Sequence, residues 1–359
     1  MRPSPEKNRR EFLRNTLTSG IALGLAPSLL SAHSTNIVPL NDASRDPYSM
    51  VDPELAPALK GLPNLILNSQ TLASIRQHEV APAPLPPPAP QPVKRYIPGP
   101  QGAPELKLII VDPSPGAKNR PALLHTHGGG YVARSAALAV PFLQTAARDC
   151  NCLVVSVDYR LAPETHFPGS LEDNYAALHW LYANADMLGV DRNRIAVGGE
   201  SAGGGHAAAL VIAARDRKEV SIVFQLLIYP MLDDRTGSTR PVPPHVGEFI
   251  WTAQSNVFGW TSLLGVPAGS PNVPAGAVPA RVENLSGLPP SFIVVGAIDL
   301  FVDEDIAYAR RLITAGVPVE LHVVPGAYHG FDLLVPNSNV SARFTGYWTT
   351  ALRRAFARS

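Results

Sequence analysis

Arg194-Ile195-Ala196-Val197-Gly198-Gly199-Glu200-Ser201-Ala202-Gly203 passes from a short apolar run into a cluster of small residues, and a helical run continues from there to Arg217. Its centre, Gly199-Glu200-Ser201-Ala202-Gly203, has the spacing G-x-S-x-G. A tight strand-to-helix turn of this kind strains the serine backbone and lifts the hydroxyl to the carboxyl edge of a sheet. Small flanking residues are required because a Cβ there would meet neighbouring backbone. The helix N-terminus adds partial positive charge beside the hydroxyl. The alternative is a Gly/Ser-rich turn without chemistry. The five letters alone do not separate the two readings, and the flanking strand and helix decide for a nucleophile.

Outward from this turn, short apolar runs at 106–111, 122–127, 152–158, 194–198, 222–229, 291–296 and 319–324 read as strands. They are mostly continuous rather than alternating, as expected of strands covered on both faces. Helical windows fall between them at 140–149, 171–188, 203–217 and 303–315. A last window, 340–356, carries Val340, Phe344, Trp348, Leu352 and Phe356 on one stripe. The alternation predicts an α/β fold. About sixty residues separate Tyr229 from Ser291, more than a βα loop needs, so an insertion at about 231–285 is expected to be functional. Phe249, Ile250, Val257, Trp260, Leu263 and Leu264 suggest helices within it. Residues 51–80 read as one or two short helices that join the insertion in a lid over the sheet edge. Between 82 and 100 there are nine prolines, so 81–100 is expected to be an extended connector, and 101–359 the catalytic domain.

Upstream of the serine, His127-Gly128-Gly129-Gly130 follows the strand at 122–127. Cleavage of an acyl bond creates an oxyanion, and backbone N–H groups free of side chains stabilise it. Loss of one such donor costs about 3 kcal/mol. Gly129, Gly130 and Ala202 are the expected donors, with His127 and Gly128 completing the motif. A phosphate-cradling loop is excluded, because no Lys-Ser/Thr follows and G-x-G-x-x-G is absent. The partners of a nucleophilic serine should follow it in the order acid, then histidine. His329, in Gly326-Ala327-Tyr328-His329-Gly330-Phe331, emerges after the strand at 319–324. His322 lies inside that strand, and His206 is too near Ser201 in sequence to fold back onto it. Asp299 follows the strand at 291–296 by three residues. Asp303 and Asp305 open the next helix, where carboxylates serve the helix dipole. The expected catalytic set is Ser201, His329 and Asp299: the imidazole takes the hydroxyl proton and the carboxylate steadies its cation.

The 359 residues are 45% hydrophobic and 16% charged, with a formal net charge of +1, against about 25% charged in average globular chains. Near-neutrality without charge runs argues against a nucleic-acid partner. Arg9-Arg10-Glu11-Phe12-Leu13-Arg14 precedes a fourteen-residue apolar run, Leu17 to Leu30, too short to cross a bilayer core of about 20 residues. This layout resembles a removable twin-arginine export signal over 1–34, cleaved after Ala32 or Ser34, leaving no stable membrane span in the mature form. Residues 1–32 hold five bases and two acids, so their removal takes the net charge to −2. The expected location is periplasmic or secreted. Cys150 and Cys152 read as small packed residues rather than a strained bridge. His125-x-His127 shares one strand face, but no third ligand can be named, so no metal is expected. Trp251 and Trp260 fit a substrate pocket and an apolar cap face equally well.

Several separated blocks resemble one family: His127-Gly128-Gly129-Gly130-Tyr131, Val157-Asp158-Tyr159-Arg160-Leu161-Ala162-Pro163-Glu164, the serine turn, Asp299-Leu300-Phe301-Val302-Asp303-Glu304, and His329-Gly330-Phe331. In this order they are similar to the bacterial hormone-sensitive-lipase-like esterases (family IV) of the α/β-hydrolase superfamily. The resemblance implies an eight-stranded, mostly parallel sheet flanked by helices, with a helical cap. It implies nucleophile Ser201, acid Asp299, base His329 and an oxyanion hole of the glycine run with Ala202. It implies a serine carboxylesterase acting on short- to medium-chain acyl esters, with no cofactor and a small-molecule ester as partner. Glu200 stands where many members have Asp, and Asp299-Leu300 replaces the more usual Asp-Pro. Tyr159-Arg160 and Glu164 are expected to support the loop behind the oxyanion glycines. The same triad acting on lactones or amides is the alternative. A non-catalytic receptor like the plant gibberellin receptors, which lack the histidine, is disfavoured because His329 is present.

Overall fold

Neighbouring residues along a strand point to opposite faces, and in this chain both faces are apolar. In the computed structural model, which describes residues 46–62 and 66–357, Leu123, Val154, Ala196, Leu226 and Phe292 enter one core. Their neighbours Leu124, Val155, Val197, Leu227 and Ile293 enter another on the far side of the sheet. Two cores require helices on both sides. Each fully buried aliphatic or aromatic side chain contributes about 1.5–3 kcal/mol, so the sheet is anchored by its own composition.

Among the described residues two short helices, α1 (Ala56–Leu59) and α2 (Leu72–Gln77), precede strands β1 (Pro92–Ile97), β2 (Leu106–Val111) and β3 (Arg120–Thr126). Alternation then sets in: α3 (Val140–Cys150), β4 (Leu153–Asp158), α4 (Gly169–Ala183), α5 (Ala185–Leu188), β5 (Val190–Glu200), α6 (Ala202–Arg217) and β6 (Phe224–Ile228). After α7 (Ala253–Leu264) come β7 (Ser291–Gly296), α8 (Val302–Thr314), β8 (Val319–Val324), α9 (Phe331–Leu334) and α10 (Asn339–Ala357). The eight strands form one sheet in the order β1-β2-β4-β3-β5-β6-β7-β8. β1 and β2 run antiparallel to their neighbours, and β4, β3 and β5 to β8 are parallel. Helices α3 and α10 cover the first core, and α4, α6 and α8 the second. The stripe Val340, Phe344, Trp348, Leu352 and Phe356 is buried throughout.

The expected export leader at 1–34 lies outside the described residues. Elsewhere several expectations need correction. The proline-rich stretch 81–100 is not wholly a connector, because Pro92–Ile97 forms β1, paired antiparallel to β2. Proline is compatible with the first residue of an edge strand, which needs hydrogen-bond partners on one side only. Residues Val93 to Tyr96 are accordingly exposed. The window 171–188 is two helices that meet at Asn184. The strand expected at 194–198 starts at Val190, where it pairs with Arg120 across an irregularity. Asp191-Arg192-Asn193 hides that extension in the sequence. Phe249 and Ile250 precede α7 rather than lying on a helix, and Ile250 adopts φ 64°.

The N-terminal segment and the insertion meet over the carboxyl edge of the sheet. Ser255, in the first turn of α7, accepts a hydrogen bond from the Leu67 N–H at 3.0 Å. Asp52 N–H donates to the Gly326 carbonyl at 2.9 Å, and the Tyr328 hydroxyl to the Leu55 carbonyl at 3.3 Å. Thr252 caps α7 by accepting from Ser255 N–H, and Gly265 ends it at φ 70°. Cys150 and Cys152 are unbridged and buried, and their Sγ atoms contact the Thr349 and Ala146 carbonyls, each at 3.7 Å. Burial pushes the Cys150 thiol up to about 12 and the Cys152 thiol well above its ordinary value.

Candidate active site

Ser201 stands between the end of β5 and the start of α6 with φ 58° and ψ −124°. A non-glycine residue in this region is strained by about 1–3 kcal/mol, and the turn's hydrogen bonds hold it there. Its N–H donates to the Ile228 carbonyl at 2.9 Å, and its carbonyl accepts from Gly205 and Met231 N–H at 3.0 and 2.9 Å. The flanking glycines are sterically required. A Cβ on Gly199 would lie 2.3 Å from the Thr126 carbonyl oxygen, and one on Gly203 would lie 2.0 Å from it.

Two distant loops converge on this hydroxyl. His329, after β8, brings Nε2 to 2.9 Å from Ser201 Oγ. Its Nδ1 lies 2.8 Å from Oδ2 of Asp299, in the turn after β7. A carboxylate only accepts, so the imidazole proton sits on Nδ1 and the Nε2 lone pair faces the serine hydroxyl. The second Asp299 oxygen accepts from Phe301 N–H at 3.0 Å, which fixes the carboxylate plane. Tyr229 and Phe301 meet the imidazole edge-on at centroid distances of 4.9 and 5.2 Å. All three residues are buried. A hydroxyl, imidazole and carboxylate so ordered can pass the hydroxyl proton to the ring as Oγ attacks an electrophile.

The glycine loop lies beside them. Gly129 has φ 120° and Gly130 φ 61°. A Cβ on Gly129 would fall 2.0 Å from the Ala133 carbonyl oxygen, and one on Gly130 2.1 Å from Cη2 of Trp251. Among the described residues no hydrogen bond engages the N–H of Gly129, Gly130 or Ala202. These are the three groups expected to face an oxyanion. Gly128 is different, because its N–H donates to Glu200 Oε1 at 3.1 Å. Glu200 Oε2 lies 2.7 Å from His125 Nε2, and His125 Nδ1 lies 2.8 Å from Ser156 Oγ. Burial alone would raise the Glu200 carboxyl; His125 and the Gly128 N–H outweigh it and hold the carboxyl below its ordinary range. The His127 ring stacks on Tyr159 at 4.2 Å, and the Tyr159 hydroxyl donates to the His127 carbonyl at 2.6 Å. Burial lowers His127 to about 4 and His206 to about 3, so both are neutral at pH 7. His206 packs edge-on against Tyr131 and Tyr159, and His322 stacks on Tyr347.

The remaining expectations divide. The sequence pattern assigns Asp303 and Asp305 alike to the helix dipole. Asp305 instead is fully buried with neither oxygen hydrogen-bonded, and burial raises its carboxyl well above the ordinary range. Trp251 lines the cavity in front of Ser201, whereas Trp260 is buried 4.9 Å from Tyr131. Among the described residues no group of three or more His, Cys, Asp or Glu is placed to hold a metal. Glu164 pairs with Arg76 of α2 at 2.7 Å. Arg76 also donates to the Val132 and Ala162 carbonyls at 2.7 and 2.8 Å, joining the N-terminal segment to the glycine loop. Sequence reading missed Arg76, the Tyr229–Asp332 hydrogen bond of 2.9 Å and Arg134. Their partners are distant in sequence, and only the φ of 70° at Arg134 marks one of them as unusual.

The cavity over Ser201 and His329 has a volume of about 390 Å³. A larger groove of about 640 Å³, bordered by Phe224, Ser291 and Val319, opens at the amino ends of β6, β7 and β8, away from the serine. Residues 123–333 match the alpha/beta hydrolase fold family. Esterase LipI of Mycobacterium tuberculosis is 34% identical over 300 residues, 82% of this chain and 92% of that protein. Carboxylesterase NlhH of the same species is 35% identical over 269 residues, covering 72% and 81%. Among solved structures, a bacterial heroin esterase superimposes with a TM-score of 0.78 at 38% identity, over 87% of this chain and 99% of that one.

Proposed function

The chain belongs to the α/β-hydrolase fold family, in its hormone-sensitive-lipase-like group, and from that premise we propose that it is a serine carboxylesterase acting on short- to medium-chain acyl esters. The observation that carries the proposal is the unbroken relay Ser201 Oγ to His329 Nε2, 2.9 Å, and His329 Nδ1 to Asp299 Oδ2, 2.8 Å. Beside it lie three unengaged backbone N–H groups. The names of the similar proteins, esterase and carboxylesterase, support the same reading.

In the mechanism, Ser201 Oγ attacks the ester carbonyl while His329 Nε2 takes its proton. The carbonyl oxygen becomes an oxyanion that accepts from Gly129, Gly130 and Ala202 N–H, donors already oriented before reaction. Asp299 keeps the ring in the reactive tautomer and stabilises the imidazolium. That imidazolium protonates the departing alcohol, leaving an acyl group on Ser201. His329 then draws a proton from water, which attacks the acyl carbon and releases the acid. Residues 51–80 and the insertion at about 231–285 serve as the cap, and a cavity of about 390 Å³ suits a modest acyl chain. The leader at 1–34 directs export through the twin-arginine route, and the amino terminus of exported protein is expected near residue 33 or 35.

The test is hydrolysis of 4-nitrophenyl esters from acetate to decanoate by the native protein and by Ser201→Ala. Removal of the nucleophile should lower kcat by at least about a thousandfold while the circular dichroism stays unchanged. Turnover of lactones or amides in preference to esters would move the assignment to another acyl bond. Failure on every acyl compound would sink it in favour of a binding role.

A further inference from the structure

The cavity in front of Ser201 is walled mainly by apolar side chains, among them Leu67, Ile75, Leu138 and Trp251. One of its wall residues is a cation, Arg134, and it is held there at a backbone cost. Arg134 is half-buried with φ 70°, a left-handed conformation that L side chains rarely adopt. Its N–H donates to Glu79 Oε1 at 2.7 Å, which secures the backbone. Among the described residues its guanidinium has neither an ion pair within 4.0 Å nor a hydrogen bond. The other charged groups there, Glu79 and Glu200, each accept at least one backbone hydrogen bond. Glu200 spends its oxygens on His125 and the Gly128 N–H, and Glu79 spends one on the Arg134 backbone. The Arg134 charge nevertheless reaches the reaction centre: it helps hold the Glu200 carboxyl low and opposes the rise that burial imposes on Tyr229.

A partly desolvated cation on an apolar wall is unfavourable unless something pairs with it. A guanidinium presents a planar fork of donors matched to a carboxylate. We infer that Arg134 forms an anion subsite and that the preferred substrates are esters carrying a free carboxylate elsewhere in the molecule. The inference rests on the ester hydrolysis proposed above and goes beyond it by assigning the substrate's charge. The carboxylate belongs to the acyl part or to the alcohol part of the ester, and the two are separable by experiment.

The experiment compares kcat/KM for two isosteric pairs at pH 7. On the acyl side these are monoethyl succinate and ethyl succinamate; on the alcohol side, 3-acetoxypropanoate and 3-acetoxypropanamide. For native protein the carboxylate of at least one pair is expected to exceed its amide by about tenfold or more, the strength of a charge-assisted hydrogen bond. Raising the salt concentration should shrink that ratio. Arg134→Gln should bring the ratio to about one, and Arg134→Lys should retain part of it. Arg134→Gly, which relieves the left-handed backbone, should match Arg134→Gln and so separate charge from conformation. Amides equal to or better than carboxylates in both pairs, or a native ratio that survives in Arg134→Gln, would overturn the subsite while leaving the esterase reading intact. No hydrolysis of these compounds or of 4-nitrophenyl acetate would overturn the esterase reading, and the subsite with it.

Discussion

The two oxygens of Glu200 face different partners, one the Gly128 N–H and the other His125, and so tie the serine turn to the glycine loop. Replacing Glu200 by Ala leaves both partners buried and unpaired. Esterase kcat on 4-nitrophenyl butyrate is expected to fall about ten- to hundredfold as the proposed oxyanion donors lose their setting. KM should change little. Glu200→Gln should fall less, because its amide oxygen still accepts from Gly128. Gly130→Ala tests the same loop from the other side, since its Cβ would overlap the Trp251 ring at φ 61°. It is expected to lose more than about tenfold in kcat/KM with the fold preserved by circular dichroism. At this scale the sequence disclosed Ser201, His329 and Asp299 because each sits next to a strand end and belongs to a local pattern. It did not disclose what Glu200 bonds, because those partners lie 72 and 75 residues away. Arg134 was silent for a related reason: a left-handed arginine has no signature in its neighbours.

Among the elements, legibility followed the sequence pattern at the strand ends rather than burial, since β8 is only half-buried and the fully buried β3 and β6 are displaced from their expected bounds by one or two residues. β2, β7 and β8 begin and end at the residues their apolar runs define. β1 was lost among prolines because Pro92-Val93-Lys94-Arg95-Tyr96-Ile97 leaves four successive side chains exposed and shows no apolar run. α2 was visible as a short helix, yet its purpose depends on Arg76, which reaches the Val132 and Ala162 carbonyls and Glu164. Arg76→Ala should destabilise the protein by about 2 kcal/mol, as expected for loss of hydrogen bonds to a charged donor, measured as a lower urea midpoint. Activity should fall together with stability, because the same contacts hold the strand-to-loop segment that follows Gly130. An unchanged midpoint would mean that α2 does not clamp the loop.

For the molecule as a whole, buried carboxyls set the pH response. Burial raises Glu304 to about 8, although the Leu232 and Asp233 N–H groups oppose the rise. Unfolded, the same carboxyl titrates near its ordinary value of 4.5. Below that pH both states hold the proton and there is no penalty. Between there and about 8 the native state keeps a proton that the unfolded chain has released, so this group lowers stability as pH rises. Asp332, raised to about 6 by burial, acts in the same direction over a lower window. Glu304→Gln keeps the acceptor for both N–H groups but cannot ionise. Relative to native protein, it is expected to gain on the order of 3 kcal/mol between pH 5 and pH 8, read from urea unfolding at each pH. A constant difference between the two proteins would exclude Glu304 as the titrating group.

The burial of both native sulfurs has a practical corollary. Cys150 and Cys152 are the chain's complete set of thiols, and in the folded state neither is exposed or readily ionised. Leu333, on the cavity rim, is half exposed. Leu333→Cys should therefore consume one equivalent of maleimide where the native protein consumes none, giving a dye attached at a single point beside the entrance. Its emission would report occupancy of the cavity in real time, with the interior left as evolution packed it.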